Sequence, residues 1–511
     1  MSNNDSKNKR IAKNSIYLTI RMIIVLGISL YTTRAILSIL GVIDYGIYNV
    51  IAGFVTMFAF LNTSMSATSQ RYFNVEYAKN GLKGAKVAFN ASLRIHFILA
   101  LLIVSITELF GVWYLQNKMI LPADRLFAAE CVFHSSVVSM FFTIVNVPFL
   151  SAIIAHEKMD FYAVVTVIDA FLKLLIVLIL PYLSYDYLIA YGILYILISV
   201  FDFMAYYLYA KSKFEEVKIA PVSDKRIYRE MIAFTLWNSI GSFSYVLRNQ
   251  GITLVLNAYF GPVVNAARGV AAQVDTAING FVNNMVVPAR PQITQSYAQN
   301  DIDRAFFITY SISKLSCLFF FLFSFPLILE SNIIFRFWLG DNIPEHTQTF
   351  IAIILVTNMF GCLLPPISTL VFAEGKMKFF QLLTSASNLL SIPLALVFLW
   401  FDKIPEYVFI ALFITMVTNQ IAAMIALKKC INYSIRRYLK QVVIPVLKVI
   451  LLSVVLALPI HFIMEESILR FFIQVFVCLF ATIFVAYFFA LESSERNVIC
   501  SYSKKLLSKF K

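Results

Sequence analysis

Charge is scarce in this chain. Only 14% of its 511 residues are Asp, Glu, Lys or Arg, against 60% hydrophobic residues and a mean hydropathy of +0.79. A soluble protein of this length has too little interior to hide so much apolar surface, so lipid must be the solvent for much of it. Cysteine is sparse too. The six (Cys131, Cys317, Cys362, Cys430, Cys478, Cys500) are scattered without paired spacing, which argues against disulfides and metal binding. The five histidines (His96, His134, His156, His346, His461) are equally dispersed. Neither a phosphate-cradling Walker sequence nor an HExxH pair occurs, which argues against ATP hydrolysis and zinc-peptidase chemistry in this chain.

What is present is a series of long apolar runs. Fourteen are predicted as helical spans, from 15–38 and 46–66 through 231–257 and 263–287 to 442–462 and 469–490. Each is near the length a helix needs to cross about 30 Å of hydrocarbon, and none shows the alternation of a barrel strand. The first apolar run is long and lacks a small-residue cleavage site, so a cleaved signal peptide is not expected there. Positive charge gathers at 7–13, 71–86, 211–229, 428–440 and 496–511, whereas the predicted external loops carry only Lys118, Arg125, Arg336 and Lys403. That asymmetry predicts an even span count with both termini cytoplasmic. The net charge of +14 is then mostly topological, directed at anionic headgroups and not at nucleic acid.

The chain also repeats itself. Residues 148–161 read PFLSAIIAHEKMDF and residues 366–379 read PISTLVFAEGKMKF, matching at Pro148/Pro366, Ala155/Ala373, Lys158/Lys376, Met159/Met377 and Phe161/Phe379. A second register, only two residues different, pairs Gly41 with Gly261, Met65 with Met285, Tyr77 with Tyr297, Ala78 with Ala298 and Asn80 with Asn300. One duplicated unit of about 220 residues is implied, as in transporters built from two similar halves. The expected division is a six-helix bundle over 1–210, a cytoplasmic linker over 211–230, a second six-helix bundle over 231–427, and two extra spans with a tail over 428–511. With an even number of spans per unit, the halves form a parallel repeat related by an axis along the membrane normal. The last two spans, without repeat counterparts, are expected to be peripheral.

Nine basic residues fall inside predicted spans: Arg21, Arg34, Arg94, Lys173, Arg248, Arg268, Lys314, Lys448 and Arg470. A charge at the bilayer centre costs about 2.5–3.5 kcal/mol on insertion scales, so each needs a reason. For Lys314, Lys448 and Arg470, near helix ends, snorkelling to the headgroups is expected. Lys173 has Asp169 one turn earlier, which predicts an internal ion pair. Arg248 is deep in the seventh span, followed by Asn249 and Gln250, on a face shared with Asn238, Ser242 and Tyr245. In the eighth span Asn265, Arg268, Asp275, Asn279 and Asn283 form one polar stripe at helical period. Such a stripe faces protein, as interhelical glue, or a hydrated cavity, but not lipid. The matching second-span positions, Tyr45, Tyr48, Val55, Ala59 and Thr63, are much less polar, so the halves are chemically unequal. An arginine-lined aqueous cavity suits an anionic cargo, because guanidinium stays protonated and can chelate phosphate oxygens in bidentate fashion. Tyr17, Tyr45, Tyr48 and Tyr245 are candidates for stacking on sugar rings. Asp275 either neutralises an arginine or takes up a coupling proton or cation. The candidate binding set is Arg21, Arg34, Arg94, Arg248, Asn249, Arg268, Asn279 and Asn283, with Asp275 as the ion-coupling candidate.

With its 6+6+2 arrangement, the segment Arg34-x6-Gly41-x2-Asp44-Tyr45-Gly46-Ile47-Tyr48 and the repeated Lys-Met turn, the chain resembles bacterial polysaccharide flippases. These are the Wzx-type O-antigen and capsule exporters of the multidrug/oligosaccharidyl-lipid/polysaccharide superfamily. The resemblance covers essentially the whole chain. It implies an all-α integral membrane protein, a V-shaped pair of bundles with alternating access, and a cationic central cavity to which Arg21, Arg248 and Arg268, with Arg34 and Arg94, could contribute. It implies a monomer of the bacterial inner membrane that moves an undecaprenyl-diphosphate-linked oligosaccharide outward without covalent chemistry or cofactor. Proton or sodium coupling, and docking of polysaccharide assembly enzymes, stay open. A multidrug exporter with a cationic cargo would call for a cavity dominated by acids, and here the acids within spans (Glu108, Glu130, Asp169, Asp202, Asp275) are fewer than the bases. A lipid II flippase is a closer variant. A membrane glycan polymerase or ligase would depend on Asp341, Glu345 and His346 in the largest external loop.

Overall fold

The computed structural model describes residues 3–496 other than 58, 157, 222–223, 375–376, 432–433 and 493–494. Lys376 and Cys500 lie outside the described residues, as do the side chains of Tyr17, Ala59, Thr63, Asn238, Met377 and Ala298. Backbone polar groups in lipid must be satisfied within their own segment, and the chain answers with helices: no strand occurs among the described residues. They are α1 (Asn3–Thr56), α2 (Ala59–Asn117), α3 (Leu126–Ala155), α4 (Met159–Ile179), α5 (Tyr187–Lys213), α6 (Lys225–Phe260), α7 (Pro262–Ala298), α8 (Ile302–Leu329), α9 (Ser331–Leu339), α10 (Thr347–Gly361), α11 (Leu364–Glu374), α12 (Met377–Leu389), α13 (Ser391–Phe401), α14 (Glu406–Ile431), α15 (Ile435–Tyr438), α16 (Ile444–Ile463) and α17 (Ile468–Val485).

Among the described residues, eleven helical stretches are long and apolar enough to cross a membrane. This is a multi-pass membrane protein. The predicted seventh and eighth spans are helical, as α6 and α7, but are not among the eleven. Their amides and charges lower the hydropathy that the criterion needs. The predicted second span is shared between the end of α1 and the start of α2. The first span and the beginning of the second are one run, bent at Gly41, where φ is 78°. A side chain would be strained at such a φ, so glycine supplies the hinge. Gly261, its partner in the repeat register, also has φ 78° and separates α6 from α7. Helix makes up most of each predicted span, and the count of fourteen is not established: eleven stretches among the described residues have the length and composition to span.

By packing, the chain divides into two units. One takes in the chain up to Gln273 with Pro344–His346 and Asn388–Val408; the other takes in Val274–Ile343, Thr347–Ser387 and the chain from Phe409 on. The predicted boundaries at 210, 231 and 427 describe sequence symmetry, a different property from packing.

In the first unit, α3 lies against α2 and α5. Its core includes Ile47, Phe133, Val137, Ile144 and Leu188, with a second cluster around Phe89, Phe149 and Ile153. Residues of α1 approach α6 and α7 at backbone distance. A β-carbon on Gly46 would fall on the carbonyl of Pro262, and one on Gly269 would lie 2.6 Å from Asn49 Oδ1. Arg125 holds this end of α1 in place. Its Nε donates to Asp44 Oδ1 at 2.8 Å and its Nη2 to Asp186 Oδ1 at 3.1 Å. Asp186 also caps α5, accepting from the N–H groups of Leu188 and Ile189. Lys173 Nζ and Asp169 Oδ2 are 2.9 Å apart on α4, so the expected internal pair is present.

In the second unit, two expectations are corrected. Lys314 does not snorkel: it is 2% exposed and donates to Glu495 Oε2 at 2.7 Å and to the Ala490 carbonyl at 2.8 Å. Arg470 is buried as well, with Nη2 3.0 Å from Glu330 Oε2 and Nη1 3.2 Å from the Met464 carbonyl. Each found an internal carboxylate that is far away in sequence. Lys448, in contrast, is exposed. The Lys314 bonds and the packing of α16 and α17 on α8 tie the extra C-terminal helices into this unit.

The first copy of the Lys-Met turn ends α3 at His156, whose ring stacks on Phe214 at 4.1 Å and whose Nε2 pairs with Glu216. Burial pushes the Glu216 carboxyl up, but the hydrogen bond to His156, its own backbone N–H and the charge on the imidazole together outweigh it, leaving the group below its ordinary 4.5. A carboxyl depressed in the folded state stabilises above its unfolded-state value, and that contribution is lost as pH falls through the folded value. Thermal stability in detergent should therefore drop on acidification below 4.5, and Glu216→Gln should flatten that limb. Lys314→Met, which strands a buried carboxylate, should cost about 3–5 kcal/mol. Adding Glu495→Leu to it should recover most of the loss; a double variant no better than the single one would contradict the pairing.

Candidate site at the α6–α7 junction

Helices α6 and α7 carry the polar residues expected to bind an anion. On α6, Arg248 is 5% exposed and its Nη1 lies 3.4 Å from Asn388 Oδ1, near the end of α12. Arg268, on α7 and partly exposed, reaches back across the Gly261 turn. Its Nη2 donates to the Asn249 carbonyl at 2.6 Å and its Nε to Thr253 Oγ1 at 2.9 Å. Arg248 is thus rooted on α6 and turned to Asn388, while Arg268 is held by Asn249 and Thr253 of the same helix. The turn permits this because Gly261 reverses the chain with a positive φ. Asn49 and Gly53 of α1 close the back of this junction, against Gly269 and Thr253 respectively.

The remaining candidates are placed elsewhere. Arg21 sits 5.0 Å over the ring of Tyr162, a cation–π contact with α4. Arg34 is exposed on α1. Arg94 is exposed and reaches the Tyr228 hydroxyl at 3.5 Å and the Ala220 carbonyl at 3.3 Å, beside the linker. The α7 stripe is graded. Asn265 is fully buried, its Nδ2 bonded to the Gly261 carbonyl; Arg268, Asp275 and Asn279 are half-buried; Asn283 is exposed. Asp275 and Asn279, in the second unit, are joined by a 2.7 Å bond from Nδ2 to Oδ1. Of the shared α6 face, Tyr245 is 58% exposed and Asn238 lies outside the described side chains. On the external loop, Asp341 and Glu345 are exposed, and His346 Nδ1 is bonded to Glu406 at 2.6 Å.

Sequence reasoning missed Thr253 and Asn388, the partners of the two arginines. The run Thr384-Ser385-Ala386-Ser387-Asn388 in an otherwise apolar span was the available signal. It also missed Asn257, which brackets Ile120 by accepting from its N–H at 3.1 Å and donating to its carbonyl at 3.4 Å. Chemically, the junction offers two permanently protonated forks whose recorded acceptors include a carboxamide oxygen, a carbonyl and a hydroxyl. These bonds are weaker than those a phosphate would accept.

No family model matches the sequence, and no curated protein does. Solved structures do match. An inward-closed lipid II flippase, MurJ, superposes with a TM-score of 0.69 over 94% of this chain and 98% of that one, at 14% identity. An inward-facing multidrug resistance MATE family transporter of the MOP superfamily gives 0.65 over 80% of this chain and 98% of its own, also at 14% identity. The fold is that of MOP-superfamily transporters. A MOP transporter from Pyrococcus furiosus, described as having a binding pocket of reversed polarity, gives 0.53 over 82% of this chain and 95% of its own, at 16% identity. At such identities the shared feature is the MOP fold, not any one cargo.

The gradient along α7 sets a labelling order. In a background with Cys131 and Cys500 changed to Ser, cysteine at Asn283 should react readily with a membrane-impermeant maleimide, at Asn279 more slowly, and at Asn265 not at all. Equal reaction at all three would show that the stripe is wetted along its whole length.

Proposed function

We propose that the protein is a flippase that carries an undecaprenyl-diphosphate-linked oligosaccharide, an O-antigen, capsule or exopolysaccharide repeat unit, from the cytoplasmic to the periplasmic leaflet. It works in the bacterial inner membrane, with both termini cytoplasmic, by alternating access and without covalent change to its cargo. The observation that carries this reading is that Arg268 of α7 is held at Asn249 and Thr253, on the stretch of α6 that also carries the buried Arg248. Guanidinium at membrane depth costs free energy, so its presence calls for a reason, and its fork matches the oxygens of a phosphate. Two acceptors of Arg268, the Asn249 carbonyl and the Thr253 hydroxyl, are neutral, and a phosphate oxygen in the place of either makes the stronger bond. The polyprenyl tail stays in lipid while the head is dehydrated. Asp275, with Asn279 as its donor, is the candidate for a coupling proton or cation.

Lipid II is the second reading, favoured by the coverage of nearly the whole chain by a solved lipid II flippase. It shares the diphosphate, so the arginines serve both cargoes and the sugars separate them.

Arg248→Ala should abolish surface glycan with the protein still abundant in the membrane, and Arg248→Lys should restore only part, because an ammonium cannot chelate in bidentate fashion. Cells without the protein should accumulate the lipid-linked oligosaccharide on the cytoplasmic side. Normal surface glycan in the alanine variant would sink the anion-site reading, and accumulation of lipid II instead would move the cargo to the second one.

A further inference from the structure

Inside the first unit, α1, α3 and α5 enclose a cavity of about 180 Å³. Its wall combines aromatic rings, hydroxyl groups and the aliphatic side chains of Val55, Val132 and Met140. Tyr48, Tyr191 and Tyr195 contribute the rings, and Ser136, Ser139 and Thr143 are among the hydroxyl residues. Among the described residues, no carboxylate, ammonium or guanidinium lines it. Tyr48 and Tyr191 meet edge to face, with centroids 5.1 Å apart and planes at 83°, forming a rigid corner. Lys173 stands outside the wall, 5.4 Å from the centre of the Tyr195 ring and paired with Asp169.

The hydrogen-bond inventory is specific. Thr143 donates its hydroxyl proton to the Ser139 carbonyl, at 2.9 Å, and so keeps acceptor capacity. Ser139 is 5% exposed, and its Oγ is buried with no hydrogen-bond partner. A buried hydroxyl left in that state costs free energy, and a turn about χ1 that brought it to the cavity would let a ligand hydroxyl satisfy it. A hydrocarbon chain in the cavity would leave it unsatisfied. The volume is below the roughly 300–1,000 Å³ of sites for drug-sized molecules, which limits the occupant to about one ring.

We infer that this cavity is a subsite for one uncharged pyranose ring, whose C–H face packs on the tyrosines and whose hydroxyl groups pair with the serine and threonine hydroxyls. The inference rests on the flippase reading for its biological sense, since the cargo would present such a ring. It adds to that reading a place for the sugar distinct from the arginines.

The test uses purified full-length protein in nanodiscs, with free glucose, galactose and N-acetylglucosamine as probes for saturation-transfer NMR. The unsubstituted protein should transfer saturation to the ring protons of at least one sugar. Ala52→Phe, which fills the cavity from α1, should abolish the transfer, and Tyr195→Leu, which keeps bulk but removes ring and hydroxyl, should weaken it. Both variants should still bind undecaprenyl diphosphate, which carries no sugar, like the unsubstituted protein; this also reports that they are folded. No transfer to any of the three sugars, or transfer undiminished in Ala52→Phe, overturns the subsite. So does native mass spectrometry showing a co-purified acyl chain that Ala52→Phe expels. Loss of undecaprenyl diphosphate binding in Arg248→Ala with sugar transfer intact supports both sites, whereas failure of the unsubstituted protein to bind that lipid counts against the flippase reading alone.

Discussion

A charge surrounded by hydrocarbon must find an oxygen inside the protein or reach the headgroups, and much of this structure follows from how each charge meets that demand. Lys314 is buried on Glu495 and Arg470 on Glu330, while the half-buried Lys173 pairs with Asp169 and Arg125, outside the predicted spans, with Asp44 and Asp186. Three of them join helices or fix their ends, tying α8 to the segment after α17, α17 to the end of α8, and the bend of α1 to the start of α5, while Lys173 and Asp169 pair within α4. Breaking one is costly because the survivor is stranded in a medium that solvates it poorly. They are structural charges.

Arg248 and Arg268 have neutral oxygens among their partners. A carboxamide, a backbone carbonyl and a hydroxyl accept from them. Such groups orient a guanidinium without matching the strength of a phosphate oxygen. The neighbours are also chosen for fit. Gly46, Gly53 and Gly269 let α1, α6 and α7 approach so closely that the arginine of α7 reaches the backbone of α6. A larger residue at Gly46 would push α7 away, and Arg268 with it.

How much of this could be read from the sequence depends on the range of the interaction. Helices followed from apolar run length, because lipid leaves the backbone few alternatives. The pairing of Gly41 with Gly261 followed from the repeat, and both glycines have the same φ of 78°, a local property carried by one residue type. Lys173 with Asp169 was legible because the two are one turn apart. Lys314 and Arg470 were misjudged since their partners, Glu495 and Glu330, are more than a hundred residues away and no periodicity connects them. The α7 stripe was visible on a helical wheel, but its gradient of burial was not, because a wheel holds no information about what packs against each turn. Asn265 is enclosed where α7 begins beside α1, and Asn283 is exposed further along.

One helix links the two places where a cargo would be recognised. Along residues 45–56 of α1, Gly46, Asn49 and Gly53 recur at helical spacing and face the α6–α7 junction, while Tyr48, Ala52 and Val55 recur on the neighbouring face and wall the cavity. The contacts on the first face involve a carbonyl and a carboxamide with no slack, so α1 cannot rotate without moving Arg268's surroundings. The same rotation would carry Tyr48 away from Tyr191 and open the aromatic corner. The junction and the cavity therefore share α1 as a common wall. The hinge for such a rotation is at hand in Gly41, the one position in that helix where the backbone leaves helical geometry, and Asp44 in the grip of Arg125 sets where the rotating segment begins.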